Sequence, residues 1–326
     1  MTLTRRTFTA FTAFSAAAGI AAIPASAQDK WPSKPITYIV PFPAGGTTDI
    51  LARLISQKLG AVLGTTIDVE NKGGAGGSVG SEMASRAAPD GTTILGGTIS
   101  SHAINVSLCP KIGYDPVKSF EPITLIGTNP TVLVVNQASP NKTLADVIAA
   151  GKAKKPLTSA SAGSGTSQHL SLELLKSKAG IDITHIPYKG SGPAIQDVMA
   201  GQVDMMFDTT VVAGPHIESG KLRALAVTSA KRLPNMPNVP TVAETVPGYE
   251  VISWQAIFAP AGTPKTIVDR LHTEIGKIRR EPDMQERLGR LGMQGADMST
   301  AEVAAFQRAE VAKWAAVIKA AHIKLE

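Results

Sequence analysis

The stretch that decides the fold lies between Tyr38 and Gly60 and reads YIVPFPAGGTTDILARLISQKLG. Its first residues are apolar, aromatic or β-branched, as in a strand, and prolines and glycines then end the run. The remaining apolar residues recur at helical spacing, and Thr47, Thr48 or Asp49 could cap that helix. The stretch therefore predicts a strand, a glycine turn and a helix in succession.

A turn of this kind can bind an anion. Glycine lets the backbone approach a ligand closely, and a helix N-terminus carries unpaired N–H groups with partial positive charge. We expect a carboxylate at such a turn. The alternative is an ordinary connection between a strand and a capped helix, and this stretch alone does not separate the two.

The same order of strand, small-residue loop and helix recurs along the chain. The glycine-rich loops follow predicted strands, at 71–80 after 65–69 and at 162–166 after 157–161. Asn129 and Pro130 are expected to separate two extended segments, and prolines make the region from 234 to 247 loop-rich. The alternation predicts an α/β protein whose mostly parallel sheets are flanked by helices. Further strands are expected at 36–40, 92–95, 183–186, 203–207 and 222–227, and further helices at 78–88, 143–154, 194–200, 263–278 and 299–318.

Composition excludes several classes of function. The chain has 326 residues, 43% hydrophobic content and a net charge of +6. Its Lys and Arg residues are scattered rather than arranged in a basic stripe, so we expect no nucleic-acid partner. Cys109 is the single cysteine, which rules out an internal disulfide and a cysteine-based metal site. No His spacing typical of metal ligands and no complete nucleotide-binding motif occurs, so we expect no metal and no cofactor.

The N-terminus has the features of a signal peptide at 1–27. Arg5 and Arg6 precede an Ala-rich apolar run, and Ala25-Ser26-Ala27 resembles a cleavage site. The run is too short to span a membrane, which predicts an exported, periplasmic protein. The paired arginines are compatible with the twin-arginine export route.

Three polar residues are candidates for chemistry, each with a simpler reading. Ser78 stands in a G-x-S-x-G pattern, as in a hydrolase nucleophile, but a glycine run separates it from the preceding strand. Asp49 and Asp208 could contact a ligand, or could be a helix cap and a solvated strand end. A carboxylate beside an anionic ligand is costly unless it is protonated, bridged by water or paired with an amine.

Short motifs across the chain resemble one family. In this order they resemble the periplasmic solute receptors of tripartite tricarboxylate transporters, the TctC or Bug family, although Lys72 stands where Arg is common. The motifs are PFPAGGTTD at 41–49, GAGG at 74–77, PDG at 89–91, YDP at 114–116, SAGSGT at 161–166 with His169 and Leu170, PYKG at 187–190, GQVD at 201–204 with MFD at 206–208, LRALAV at 222–227, PTVAE at 240–244 and APAGTP at 259–264.

The resemblance implies a two-lobed periplasmic-binding-protein fold of type II, the Venus-flytrap form, with a ligand cleft. The first lobe would comprise 28–130 plus 228–326 and the second 131–227. The implied function is a monomeric, non-enzymatic receptor that binds a small organic carboxylate and delivers it to the membrane components of the transporter. The implied ligand-binding residues are Phe42, Ala44, Gly45, Gly46, Thr47, Asp49, Ser100, His102, Ser161, Gly163, Ser164, Gly165, Thr166, Tyr188 and Asp208.

Two other functions remain open at this point. One is a periplasmic hydrolase that uses Ser78 as its nucleophile. The other is a ligand-sensing receptor that presents its closed form to a signalling partner. The sequence does not identify the carboxylate, since contacts mediated by water discriminate weakly among acids.

Overall fold

A computed structural model describes residues 31–109 and 111–324, and the predicted signal peptide at 1–27 lies outside the described residues. The strands are β1 (Ile36–Val40), β2 (Ile67–Asn71), β3 (Thr93–Thr98), β4 (Phe120–Asn136), β5 (Thr158–Ser161), β6 (Thr184–Pro187), β7 (Met205–Thr209), β8 (Leu222–Val227) and β9 (Ile252–Pro260). The α-helices are α1 (Thr47–Leu63), α2 (Ser78–Ser85), α3 (Asn105–Leu108), α4 (Leu144–Lys152), α5 (Ser167–Ala179), α6 (Ser191–Met199), α7 (Thr210–Glu218), α8 (Lys265–Arg280), α9 (Pro282–Arg290) and α10 (Thr300–Ala320).

The strands form two halves with the same arrangement. In the first half the order is β2-β1-β3-β9-β4, and in the second it is β8-β4-β7-β5-β6. Three neighbouring strands in each half pair in parallel, and one strand in each half, β9 or β4, runs against the others. This confirms the predicted α/β class, with one reversed strand added to each parallel set.

Strand β4 belongs to both halves. It pairs with β9 as far as Pro130 and with β7 from Thr131 onward. The expected break at Asn129 and Pro130 is therefore wrong, because one continuous strand passes through both residues. Proline is tolerated there because the partner strand changes at that point, so its missing N–H interrupts no ladder.

After β8 the chain passes from the second half back to the first. Thr228 donates its N–H to the carbonyl of Thr131 at 2.9 Å, and the Thr131 N–H donates to the Thr228 hydroxyl at 2.9 Å. The Thr228 hydroxyl also donates to the carbonyl of Val251, just before β9, at 2.6 Å. The two crossing segments are thus bonded to each other where the halves join.

Helices cover both faces of the sheets, and buried apolar side chains line the contacts. Leu51, Ile55 and Leu59 of α1 are buried in one core with Leu271 and Ile275 of α8. The predicted helices at 143–154 and 299–318 are present as α4 and α10, and each begins with a capping box, at Thr143 and at Ser299. Strand β9 and helices α3, α7 and α9 were not predicted from the sequence.

Over residues 31–109 and 111–324, no helix combines the length and the apolar character needed to cross a membrane.

Candidate functional site

A small cavity of about 40 Å³ lies between the two halves. The turn after β1 and the turn after β5 reach it from opposite sides, and both turns lead directly into helices. The cavity is lined by Phe42, Pro43, Gly46, Thr47, Thr48, Thr98, Ser100, Ala162, Thr166, Ser167, Gln168, Gly190, Ser191, Thr209, Ser253 and Gln255. None of these described lining residues carries a charged side chain, so only neutral donors face the cavity.

Helix α1 begins at the cavity without a side-chain cap. Its N-cap residue is Gly46, in extended conformation with φ of −84°, and no side chain hydrogen-bonds to the cap position. Gly46, Thr47 and Thr48 all line the cavity. The first N–H groups of a helix need partners, so this terminus is suited to an anionic ligand.

Helix α5 begins on the opposite side of the cavity. Its N-cap residue is Thr166, whose hydroxyl accepts a hydrogen bond from the His169 N–H and donates one to the Gly163 carbonyl at 2.6 Å. Thr166, Ser167 and Gln168 line the cavity. The loop before α5 is thereby fixed, and the helix presents its first turn to the same space as α1.

Two direct hydrogen bonds join the halves around the cavity. The hydroxyl oxygens of Thr47 and Thr209 are 2.6 Å apart, and the Ser167 N–H donates to the Ser100 hydroxyl at 3.2 Å. Thr47 and Ser100 belong to the first half, and the other two residues to the second. These bonds hold the two halves in direct contact beside the cavity.

Asp208 lies directly behind the lining. One of its carboxylate oxygens, Oδ1, accepts hydrogen bonds from Gln168 Nε2 at 3.1 Å, from the Ser191 hydroxyl at 2.8 Å and from the Thr209 N–H at 2.8 Å. Burial raises the pKa of Asp208 to about 6 despite these three bonds. The carboxylate orients two side chains that line the cavity and does not itself line it.

Several lining residues carry no local signal in the sequence. Ser253 and Gln255 come from β9, and Thr98 comes from the end of β3, which pairs with Gln255. Thr48 donates its hydroxyl hydrogen to Gln255 Oε1 at 2.9 Å, which leaves the amide NH₂ of Gln255 as the donor end. Only the antiparallel pairing of β9 with β3 brings these polar side chains together.

A wider cleft of about 680 Å³ lies outside the cavity. Four residues line both spaces: Phe42, Pro43, Ala162 and Gly190. Of the predicted site residues, Gly163, Ser164 and Tyr188 line only the outer cleft. The Tyr188 hydroxyl donates to Asp197 Oδ2 at 2.5 Å, and this bond raises the pKa of Tyr188 to about 12.

Asp49 does not line the cavity or the outer cleft. Its carboxylate accepts hydrogen bonds from the Gly45 N–H at 3.0 Å, from Asn71 Nδ2 at 3.0 Å and from the Arg53 guanidinium. Burial acts to raise the pKa of Asp49, but the bonds from Arg53, Gly45 and Asn71 outweigh it and hold the pKa below its usual value. Asp49 thus fixes the turn before α1 from behind.

His102 lies in an aromatic core behind the cavity. Its ring stacks on Phe258 with centroids 4.2 Å apart and lies 4.9 Å from the centroid of Phe120. Burial lowers the pKa of His102 to about 3, so the ring is neutral near neutral pH.

Ser161 lies at the end of β5. Its hydroxyl is hydrogen-bonded to His185 Nε2 at 2.7 Å and accepts a hydrogen bond from the Gly163 N–H at 3.0 Å.

The predicted residues thus fall into three groups. Lining the inner cavity are Phe42, Gly46, Thr47, Ser100 and Thr166. Lining the outer cleft are Phe42, Gly163, Ser164 and Tyr188. Lining neither space are Ala44, Gly45, Asp49, His102, Ser161, Gly165 and Asp208, of which Ala44 and Gly45 are exposed.

The geometry around Ser78 differs from that of a hydrolase nucleophile. Ser78 is the first residue of α2 and follows a short 3₁₀ turn at Ala75–Gly77 rather than a strand. Its hydroxyl accepts a hydrogen bond from Asn105 Nδ2 at 3.1 Å.

Burial raises the pKa of the Cys109 thiol, which disfavours the reactive thiolate form. Within 31–109 and 111–324, no cluster of His, Cys, Asp or Glu could hold a metal ion.

Comparison with known proteins identifies the family. The family described as the tripartite tricarboxylate transporter family receptor matches residues 51–323. The solved structure of Rpa4515 from R. palustris with adipate is 36% identical, with a TM-score of 0.87 over 90% of this chain and 99% of that one. MatC from Rhodopseudomonas palustris with bound malate is 35% identical, with a TM-score of 0.85 over 88% and 100%. The periplasmic binding protein BugD is 36% identical, with a TM-score of 0.87 over 91% and 100%.

Proposed function

Because the chain belongs to the tripartite tricarboxylate transporter receptor family, we propose that it binds a small organic carboxylate between two lobes and delivers it to a transporter of that type. The two lobes of the proposal are 28–130 plus 228–326 and 131–227. Binding favours the closed arrangement, since the ligand contacts both lobes only when they meet.

One observation carries this proposal: the N-termini of α1 and α5 meet at a single cavity that no charged side chain lines. A carboxylate there accepts hydrogen bonds from main-chain N–H groups and small hydroxyls, and such charge-assisted bonds are strong where water is excluded. The positive ends of both helices add to the attraction. Gly46 and Thr47 of one lobe and Thr166 of the other are the proposed contacts, with Ser100 beside them.

The volumes of the inner cavity and the outer cleft indicate which part of a ligand each could hold. The inner cavity has room for a head group, whereas the outer cleft has a volume of about 680 Å³. Adipate and malate, bound by the two relatives, both carry a carboxylate that would suit the inner cavity. We propose that the carboxylate enters first and that the remainder of the acid extends past Phe42 toward Tyr188.

The proposed setting is the periplasm, where the relative BugD is a binding protein. Export would use the predicted signal peptide at 1–27, with Arg5 and Arg6 as its twin-arginine feature. The proposed receptor acts as a monomer, with the membrane components of the transporter as its protein partners.

A thermal-shift screen against a library of organic acids tests the proposal. An acid that binds only the folded chain raises the melting temperature in a concentration-dependent way. We expect dicarboxylates or hydroxy acids to do so, and their methyl esters to fail because they lack the charge. Uptake of the identified acid in cells without the transporter's membrane components then separates transport from signalling: retained uptake would contradict the proposed partner.

A further inference from the structure

Asn105 lies where two glycine loops from opposite lobes meet. It is the first residue of α3 and is fully buried. Its Nδ2 donates to the Gly76 carbonyl at 3.0 Å and to the Ser78 hydroxyl at 3.1 Å, with a longer bond of 3.4 Å to the Ala75 carbonyl. Asn105 therefore fixes the glycine loop of the first lobe.

The other end of the same amide faces the second lobe. A methyl group on the Cα of Gly165 would lie 2.4 Å from Asn105 Oδ1, well inside contact distance. Asn105 cannot rotate away without losing the bonds that its Nδ2 makes to Gly76 and Ser78. The nearest atoms to such a methyl group are all from Asn105, so this contact is a specific one.

The loop of the first lobe meets the second lobe just as closely. A methyl group on Gly76 would lie 2.9 Å from the Ser164 carbonyl oxygen and 3.0 Å from Asn105 Nδ2. Gly76 and Gly165 have φ of +60° and +80°, a region that residues with side chains rarely adopt. The lobes can thus approach here only because both glycines lack side chains.

We propose that Asn105 is a positioning residue for closure: its amide fills the space between the two loops and sets how far the lobes approach. Asn105 lines neither the inner cavity nor the outer cleft, so it acts through the loops rather than on the ligand. The role in ligand capture rests on the proposed function, whereas the contact itself can be tested without ligand.

A disulfide trap measures closure directly. Thr47→Cys and Thr209→Cys place thiols on the two lobes at positions whose hydroxyl oxygens are 2.6 Å apart. Cys109→Ser removes the native thiol, and the rate of cross-linking under mild oxidation reports how often the lobes close. The comparison uses the ligand-free chain, so it does not depend on the identity of the acid.

In this background, Gly165→Ala should slow cross-linking by at least about tenfold, because the closed fraction falls. Adding Asn105→Ala should restore the rate to within about twofold, since the amide that blocks the methyl group is gone. Gly180→Ala is the matched control: Gly180 has φ of +63° and no neighbour within 4 Å, so backbone strain alone is tested. Far-ultraviolet circular dichroism verifies that each variant is folded.

A second variant covers the case in which Gly165→Ala does not fold. Gly76→Ala should also slow cross-linking, because its methyl group meets Ser164 across the cleft. The proposal is overturned if neither glycine variant slows the reaction, if Asn105→Ala fails to rescue a folded Gly165→Ala, or if the parent pair never cross-links. Malate and adipate are added as probes to the unmodified chain in a thermal-shift assay, which tests the proposed function separately because that chain keeps the Thr47 and Thr209 hydroxyls.

Discussion

The hydroxyl oxygens of Thr47 and Thr209 are 2.6 Å apart although 162 residues separate them in the chain. Thr47 is the first residue of α1, and Thr209 ends β7 in the other half. Both residues line the inner cavity, so one hydrogen bond joins the halves at the place proposed for the ligand. Closure and binding are expected to depend on the same two hydroxyls.

Thr47→Val removes the hydroxyl and keeps the shape of the side chain. The loss of one buried hydrogen bond costs about 1 kcal/mol, so affinity for the acid found by screening should fall roughly fivefold. Isothermal titration calorimetry measures the change. Thr273→Val, at an exposed position of α8, is the control and should bind as the parent does. Equal affinity of Thr47→Val and the control would exclude this hydroxyl from closure.

Gly46→Val should block the site without unfolding the protein. The backbone at Gly46 has φ of −84°, and a Cβ there would meet only the Pro43 carbonyl oxygen at 3.7 Å. The added methyl groups would enter the cavity, so affinity should fall more than about tenfold, as expected for losing hydrogen bonds to a charged group. Gly289→Val in α9, with no neighbour within 4 Å, is the control. A Gly46→Val protein that binds normally would place the ligand elsewhere.

Asp208→Asn should change how stability depends on pH. The carboxyl of Asp208 loses its proton near 3.8 in the unfolded chain and near 6 in the folded one. The folded state therefore holds more protons between these values, and stability falls as the pH rises through them. Relative to Asp208→Asn, the parent should lose roughly 2 to 3 kcal/mol of unfolding free energy between about pH 4 and about pH 7.

Urea unfolding at both pH values measures this difference. Asp68→Asn, at an exposed position of β2, is the control and should follow the parent at both. If the gap between Asp208→Asn and the parent stays constant with pH, the buried carboxyl does not hold its proton in the folded state.

Asp49→Asn should show the opposite pH dependence. The bonds from Arg53, Gly45 and Asn71 keep the pKa of Asp49 below its usual value. Its stabilisation is therefore present at neutral pH and is lost as the pH falls through that lowered value. We expect Asp49→Asn to cost about 1.5 to 3 kcal/mol at neutral pH, in the range of hydrogen bonds to charged groups.

The gap between Asp49→Asn and the parent should close in acid, and chemical denaturation across the acid range would show this. A deficit that stays unchanged as the pH falls well below 3.8, the ordinary pKa of an Asp side chain, would contradict the role given to this charge.

The sequence predicted the two turns at the cavity because each carries its own local signal. The stretch 38–60 places a strand, glycines and a helix in order, and 157–170 repeats that pattern around Thr166. The observed cap differs in one respect: Gly46, and not a threonine or Asp49, holds the N-cap position of α1. Since glycine has no side chain, no side-chain cap forms at this position.

Other parts of the site could not be read from local sequence. Ser253 and Gln255 reach the cavity only because β9 returns from the end of the second half to pair with β3. The directions of Asp49 and His102 depend on distant partners, Asn71 for the first and Phe258 for the second. Periodicity and capping signals act over a few residues, so they do not encode such partners.

Pro130 sits where β4 passes from one sheet to the other, and it has no N–H to donate. Bending between the proposed lobes at this point therefore breaks no main-chain hydrogen bond donated by residue 130. The hydrogen bonds between Thr131 and Thr228 can remain intact while the angle between the proposed lobes changes. If the proposed lobes separate in this way, a bound acid is released by bending at the strand junction, and no local unfolding is required.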